Sequence, residues 1–246
     1  ILKKIVDAGE IQKGEIILEN GTGKSAITEK LLEVSDKVIA VEKDRELIEL
    51  LKEKFQKEID TGKLILVEGD ILEFNTKTYN LETKTYKIIA NIPYNITGAI
   101  LKKFLTADHQ PECMVLMVQH EVAQRIIASP RHGGASGKES LLSISVKAYG
   151  TPKMITKVDK RFFSPSPKVN SAVIKITEIK RKNFKNPENE EKFWEIVKNG
   201  FAHKRKKLSG NLKNIISNTN PTFLQIKDKR AEDLSLKEWL DLSNML

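Results

Sequence analysis

Asn91-Ile92-Pro93-Tyr94 sets an amide, a rigid proline and an aromatic ring side by side, directly after the apolar run Lys87–Ala90. Residues of these types can hold a nucleobase. The exocyclic nitrogen of adenine is a poor nucleophile because its lone pair is delocalised into the ring. The Asn91 side-chain oxygen and a backbone carbonyl at Ile92 or Pro93 can accept its amino hydrogens. That favours a pyramidal nitrogen, with a lone pair available to a sulfonium methyl. Pro93 presets the carbonyl, so the contribution is preorganisation rather than proton transfer. Tyr94 can stack on a base swung out of a helix or taken from a single strand. The amine becomes strongly acidic once methylated, so this chemistry needs no general base.

A second cluster lies earlier, in Leu18-Glu19-Asn20-Gly21-Thr22-Gly23-Lys24-Ser25-Ala26. Gly23-Lys24-Ser25 resembles the end of a phosphate-binding P-loop, but Leu18 stands where that loop needs its first glycine. Gly21-x-Gly23-x-x-Ala26 fits a dinucleotide fingerprint, with Glu42 21 residues on, after a second apolar run. A carboxylate there can accept hydrogen bonds from both ribose hydroxyls, which serves NAD and S-adenosylmethionine alike. A glycine used only to turn sharply into a helix is the third reading. Gly69-Asp70 follows a third apolar run; Asp70 can accept from an adenine amino group or serve as a turn or cap residue. An NAD-dependent oxidoreductase also needs a hydride-site His, Lys or Tyr, and none is evident.

The elements that must position these residues follow from hydrophobic period. Strands are expected at Ile16–Leu18, Val38–Val41, Leu64–Val67, Lys87–Ala90 and Cys113–Val118. Helices are expected at about 21–34, at Asp44–Ile59 with Leu47, Leu50, Leu51 and Phe55 on one face, at Thr97–Leu105 and at Glu121–Ala128. The β-α-β-α order implies a Rossmann-like α/β sheet, mostly parallel and covered on both faces. Ligands then bind beyond the strands' carboxyl ends, at the switch in strand order. Met154–Val158 and Ser171–Thr177 flank a proline-containing turn and are expected as an antiparallel pair at the edge. The glycine-bearing segment His132–Lys138 reads as a mobile loop. Beyond about residue 180 the strand signal ends, and helical patterns at Glu191–Phe201, Lys204–Ile216 and Ser235–Leu246 predict a small α-helical domain. The expected domains are thus 1–179 and 180–246.

Composition narrows the function classes. The chain has 246 residues, 39% of them hydrophobic, enough for a core and too many for wholesale disorder. The longest aliphatic run, Cys113–Val118, is far shorter than the roughly 20 residues of a bilayer span. The single cysteine excludes a disulfide framework, and the four histidines lack metal-ligand spacing, so no metal is expected. A reducing, cytoplasmic setting and no membrane partner are the expectation. Net charge is +9, concentrated between Lys180 and Ile215, where eleven Lys/Arg face four Asp/Glu. Such a segment is either a solvated lysine-rich surface or a contact for a polyanion. Lys204, Arg205, Lys206 and Lys207 are the candidate phosphate contacts.

With these strings in order, the chain resembles the S-adenosylmethionine-dependent rRNA adenine N6,N6-dimethyltransferases. The similarity is to the branch that modifies two adjacent adenines near the 3′ end of small-subunit rRNA. It rests on Glu19-x-Gly21-x-Gly23-Lys24, Asp70-Ile71-Leu72, Asn91 to Thr97, Gln119 to Arg125, Phe163-Ser164-Pro165-Ser166-Pro167-Lys168-Val169-Asn170-Ser171 and Arg230 to Ser235. The resemblance implies a class I methyltransferase fold. It also implies a cofactor site of Glu19, Gly21, Gly23, Glu42, Asp70, Ile71 and Asn91, and a target site of Asn91, Pro93, Tyr94 and Phe163. The helical domain is implied to engage rRNA in a small-subunit precursor, the enzyme acting as a monomer.

Two other functions remain in view. The macrolide-resistance methylase of large-subunit rRNA shares the Asn-Ile-Pro-aromatic and Pro-x-Pro-Lys-Val strings, whereas Gln119–Arg125, Phe201–Leu208 and Arg230–Ser235 look like the small-subunit branch. An RNA-binding assembly factor with weakened catalysis is the alternative from another class. In the family an N-terminal Gln-Asn-Phe-Leu-like string helps close over the cofactor; the sequence given starts at Ile1 without it, which makes weaker closure the expectation. Asn20 and Thr22 replace the family's usual aliphatic and Pro or Ser residues, and are expected to adjust the turn rather than abolish binding.

Overall fold

The computed structural model describes residues 1–23, 25–130, 137–217 and 220–245. Its chain divides into two compact units, one of residues 1–123 and 150–179, the other of residues 124–149 and 180–246.

The first unit holds a seven-stranded sheet. Its strands are β1 (Ile16–Asn20), β2 (Lys37–Glu42), β3 (Leu64–Glu68), β4 (Tyr86–Asn91), β5 (Cys113–Gln119), β6 (Thr151–Val158) and β7 (Ser171–Thr177), in the order β3-β2-β1-β4-β5-β7-β6. β1 to β5 pair in parallel, whereas β7 runs antiparallel to both β5 and β6. The expected antiparallel pair is therefore present, with β6 outermost. Every residue of β1 is buried, as are all of β2 except Lys37 and all of β4 except Asn91. Central parallel strands are covered on both faces, which is why they read as unbroken Val/Ile/Leu runs instead of alternating ones. Each such side chain removed from water contributes on the order of 2 kcal/mol.

The connecting helices are α1 (Leu2–Ala8), α2 (Ala26–Val34), α3 (Arg45–Lys54), α4 (Gln56–Asp60) and α5 (Thr97–Leu105); α6 (His120–Ile127) starts in this unit. Asp44 caps α3 as its type predicts, accepting from the Glu46 and Leu47 amides at 2.9 and 3.4 Å. The expected single helix to Ile59 is instead two, because Phe55 leaves helical geometry (ψ 28°) to bury its ring in the core. The face prediction also shifts. Ile48, Leu51 and Phe55 are buried, while Leu50 is 61% exposed. Ile48 takes the inward position because it lies three residues before Leu51 and seven before Phe55, whereas Leu50 is turned about 200° from Ile48.

The second unit contains α7 (Leu141–Lys147), α8 (Pro187–Gly200), α9 (Leu208–Asn211), α10 (Pro221–Ile226) and α11 (Leu236–Ser243). Residues 124–149, assigned by sequence to the first domain, group with it. Tyr149 explains the grouping: its ring packs on Phe184 and Trp194, and its hydroxyl takes the Trp194 Nε1–H at 2.9 Å and donates to Glu190. Trp239 of α11 is fully buried against Gly200 of α8. The helix expected over Lys204–Ile216 shrinks to the single turn α9. The Leu208 and Ser209 amides donate to the Lys229 and Lys227 carbonyls, and Lys207 bridges Arg230, which commits this backbone to a neighbouring segment. Of the expected loop His132–Lys138, residues 132–136 lie outside the described residues, as does Lys24. Among the described residues no helix is long and apolar enough to cross a membrane.

Candidate nucleotide and target-base site

β1 and β4 are neighbours although far apart in sequence, so the switch in strand order lies between them. A crevice must open there, since the connections from β1 and β4 leave in opposite directions. The residues following both strands meet at this point. Gly21 has φ +69° and Gly23 φ +50°, values that disfavour any side chain. A Cβ built on Gly21 would lie 3.5 Å from the Asn91 carbonyl oxygen and 4.0 Å from Pro93 Cδ. The turn after β1 thus touches the Asn-Ile-Pro loop after β4.

Two carboxyl groups flank the turn, Glu19 within β1 and Glu42 at the end of β2, in opposite surroundings. Glu19 is fully buried, and neither of its oxygens has a hydrogen-bond partner among the described residues. Burial pushes its carboxyl up to about 8; the Thr28 hydroxyl, nearby but outside hydrogen-bond geometry, opposes the shift, and the Glu42 carboxylate adds to it. Glu42 is fully engaged. One oxygen accepts from the Lys43 and Asp44 amides at 2.8 and 3.0 Å, the other from the Thr22 hydroxyl and the Gly23 amide at 3.0 and 3.2 Å. These four bonds fold the glycine turn onto the end of β2. They also give Thr22, which the sequence shows only as a departure from the usual pattern, a definite partner.

Asp70 closes the row after β3. Its carboxyl accepts from the Leu72 amide at 2.9 Å and from Lys43 Nζ at 3.1 Å, and these two hold it below the usual carboxylate range. It is therefore a capped turn residue that still keeps a partly exposed carboxylate at the strand ends. Ile71 beside it is buried in the core. Lys43 is the member of this row that sequence reasoning missed; its position one residue beyond Glu42 was the available signal.

Beyond the glycine turn, Asn91 ends β4 opposite Met117 of β5, and it is exposed. Pro93 is exposed too, with φ −58° and ψ 133°, followed by a single 3-10 turn at Tyr94–Ile96. Tyr94 is half-buried, its hydroxyl 2.6 Å from Ser171 Oγ at the start of β7. Phe163 is partly buried and packs on the sheet core. Glu19, Gly21, Gly23, Glu42, Asp70, Asn91, Pro93 and Tyr94 all lie at the carboxyl ends of β1 to β4. Ser171, missed in sequence, fixes the Tyr94 ring there. The residues Lys204, Arg205, Lys206 and Lys207 belong to the second unit, where all four are exposed. Lys207 also pairs with Asp228 at 2.9 Å.

Chemically, the arrangement offers a buried acid, a saturated carboxylate at ribose distance in sequence from a glycine turn, and an exposed amide next to that turn. A ligand with a cationic group and vicinal hydroxyls suits the first two, and a second, planar ligand suits the third.

Comparison with known proteins agrees with this arrangement. The model of the family described as "Ribosomal RNA adenine dimethylase" matches residues 1–246. A ribosomal RNA small subunit methyltransferase A from Dehalococcoides mccartyi is 36% identical, the match spanning 98% of this chain and 82% of the relative. One of the same description from Nostoc punctiforme is 38% identical over 95% of this chain and 84% of its own length. Among solved structures, a dimethyladenosine transferase from Plasmodium falciparum superposes with a TM-score of 0.80 at 26% identity, covering 98% of this chain and 93% of that one. The 23S rRNA methyltransferase ErmE superposes with a TM-score of 0.77 at 22% identity, over 100% and 96% of the two chains, which shows a shared fold.

Proposed function

We propose, for a chain that belongs to the ribosomal RNA adenine dimethylase family, dimethylation of the exocyclic N6 of two adjacent adenines near the 3′ end of small-subunit rRNA. S-adenosylmethionine is the donor in this reading and a small-subunit precursor the partner. The observation that carries it is the approach of the Gly21 turn to within van der Waals reach of the Asn91 carbonyl at the strand switch. A nucleotide cofactor on the turn and a base held by Asn91 are then forced to be neighbours.

The residues fit that donor, which when bound supplies an electrophilic methyl group on a sulfonium sulfur. Glu19, buried and without a hydrogen-bond partner among the described residues, suits its ammonium group, because a cation there satisfies both oxygens. Glu42 suits the ribose hydroxyls, exchanging its bonds to Thr22 and Gly23 for them. Asp70 suits the adenine amino group. Gly21 keeps the turn free of a side chain that would stand between cofactor and loop.

Asn91 and the carbonyls of the Ile92–Pro93 segment accept the target amine's hydrogens, which favours a pyramidal nitrogen with its lone pair turned out of conjugation with the ring. Proline restricts the loop, so these acceptors are aligned before the base arrives. Tyr94 and Phe163 flank the base, with Ser171 keeping the Tyr94 ring in place. The basic segment Lys204–Lys207 of the helical unit takes rRNA phosphates. The small-subunit-named relatives, together with the strings Gln119–Arg125 and Arg230–Ser235, favour small-subunit over large-subunit rRNA.

Labelled donor incubated with undermethylated small-subunit particles should label rRNA adenine. Asn91→Ala should lower that transfer by roughly 100- to 1,000-fold, the scale for losing one preorganised polar contact. Because Asn91 is exposed, the variant's stability should stay within about 0.5 kcal/mol of wild type. Undiminished transfer by the variant contradicts the assigned role.

A further inference from the structure

Phe162 and Phe163 are adjacent, yet only Phe163 packs on the core; Phe162 is 62% exposed. An exposed phenyl ring forfeits the burial that normally keeps this residue inside, so its placement calls for a reason. The local backbone holds it out firmly. Asp159 caps the 3-10 turn Lys160–Phe162 through the Arg161 amide at 3.0 Å, and the Lys160 amide donates to Asn170 Oδ1 at 3.0 Å. The Arg161 guanidinium lies 5.4 Å from the Phe162 ring centroid and 3.8 Å from the Asp159 carboxylate, which fixes a cation against the ring.

The same turn borders a cleft lined by Gln119, His120, Glu121, Lys160, Lys168 and Asn170, with Val169 at its rim. Lys160 and Lys168 are exposed, and neither is paired with a carboxylate among the described residues. Asn170 ties the cleft to the target-base site. Its carbonyl takes the His120 amide at 2.9 Å, and the next residue, Ser171, holds the Tyr94 hydroxyl. An aromatic face, a guanidinium over it and two ammonium groups, on a turn tied through Asn170 to the residue before the Tyr94 anchor, match one nucleotide of a single strand: a base on the ring and a phosphate among the cations.

We infer that Phe162, with Arg161 behind it, is the stacking platform for the nucleotide next to the target adenine, whose phosphate is taken by Lys160 and Lys168. This rests on the proposed methylation of rRNA adenine and adds a second base-binding position to it. Stacking tolerates any base, so the platform holds the strand in register while the target amine is selected by Asn91. On a substrate with two adjacent adenines, it gives the untreated or finished neighbour a place outside the reaction site.

The test compares Phe162→Ala, Phe162→Leu and Phe162→Trp, using undermethylated small-subunit particles as substrate. Loss of one stacked base corresponds to about a tenfold effect. The KM for particles should rise about tenfold in both Ala and Leu variants, with kcat and the KM for donor unchanged, and the Trp variant should restore it. A Leu variant that matches wild type overturns the inference in favour of a plain apolar contact, such as a ribosomal protein. Equal KM values in all three variants overturn it too. If the wild-type chain labels no rRNA adenine, the proposed function fails and the platform with it. If wild type labels adenine and the variants do not differ, the platform alone fails.

Discussion

Glu19 is a protonated acid in the free protein at neutral pH, whereas Asp70, in the same row of strand ends, is a carboxylate. The Glu19 carboxyl, ordinarily near 4.5, is raised to about 8 by burial, so between those values the folded chain keeps a proton that the unfolded chain has released. Stability linked to Glu19 is therefore present below about pH 4.5 and is lost as pH rises toward about 8, by on the order of a few kcal/mol. Urea midpoints measured across that window should fall for wild type, and the Glu19-linked part of the fall should vanish in Glu19→Gln. Donor binding should show the opposite trend. A cation beside Glu19 favours the ionised form, so binding releases a proton at neutral pH, and affinity should climb until about pH 8. Calorimetry in buffers of different ionisation enthalpy reads that proton directly; none released by wild type, or the same release by Glu19→Gln, contradicts the assignment. The residue types of this site were legible in sequence because each follows a strand, but their states were not. That Glu19 has no hydrogen-bond partner among the described residues while Glu42 accepts four hydrogen bonds depends on side-chain packing that spacing does not encode.

Strands were legible as elements because double-sided burial writes them as apolar runs, and β1 to β5 fall within two residues of expectation at either end. Helices were legible where a cap and a periodic face coincide, as at Asp44, whereas α8, expected from Glu191, starts four residues earlier at Pro187 behind the Asn186 cap. They were missed where the signal was brief: α1 and α7 are each 7 residues long, and α7 is marked chiefly by the reciprocal Ser140–Ser143 capping box. The lysine-rich stretch before Leu208 misled because helix propensity is a weak prior, easily overridden when the backbone bonds elsewhere. Gly200 illustrates the same conflict in reverse. As the last residue of α8 it should favour replacement by alanine, by up to about 1 kcal/mol. A Cβ there would lie 2.3 Å from Trp239 Cη2 and 3.0 Å from Cζ3, on a ring with no exposed surface. Overpacking of this kind costs about 1–3 kcal/mol, so Gly200→Ala should lower the thermal midpoint of the chain. An unchanged or higher midpoint would show that α11 can shift away.

For the whole molecule, charge and sheet order answer different questions. The strand order puts the glycine turn after β1 and the Asn91 loop after β4 together, and the comparisons place the chain among rRNA adenine dimethylases. The basic segment bears on grip. Each phosphate contact should contribute about 0.7–0.9 to the slope of log affinity against log salt. Replacing Lys204, Arg205 and Lys206 by alanine should therefore reduce the slope for rRNA binding by about 2–3, while Lys207, paired with Asp228, should contribute less. A slope unaltered by the triple change assigns those charges to the solvated surface.

Mapping which adenines acquire methyl groups tests the account most directly. After incubation of the chain and donor with ribosomal RNA particles lacking these marks, mass spectrometry of nuclease fragments should find dimethyladenosine at two neighbouring positions near the 3′ end of small-subunit rRNA, and unmodified adenine there with Asn91→Ala. Dimethylation of a single large-subunit adenine, or none on either RNA, contradicts it.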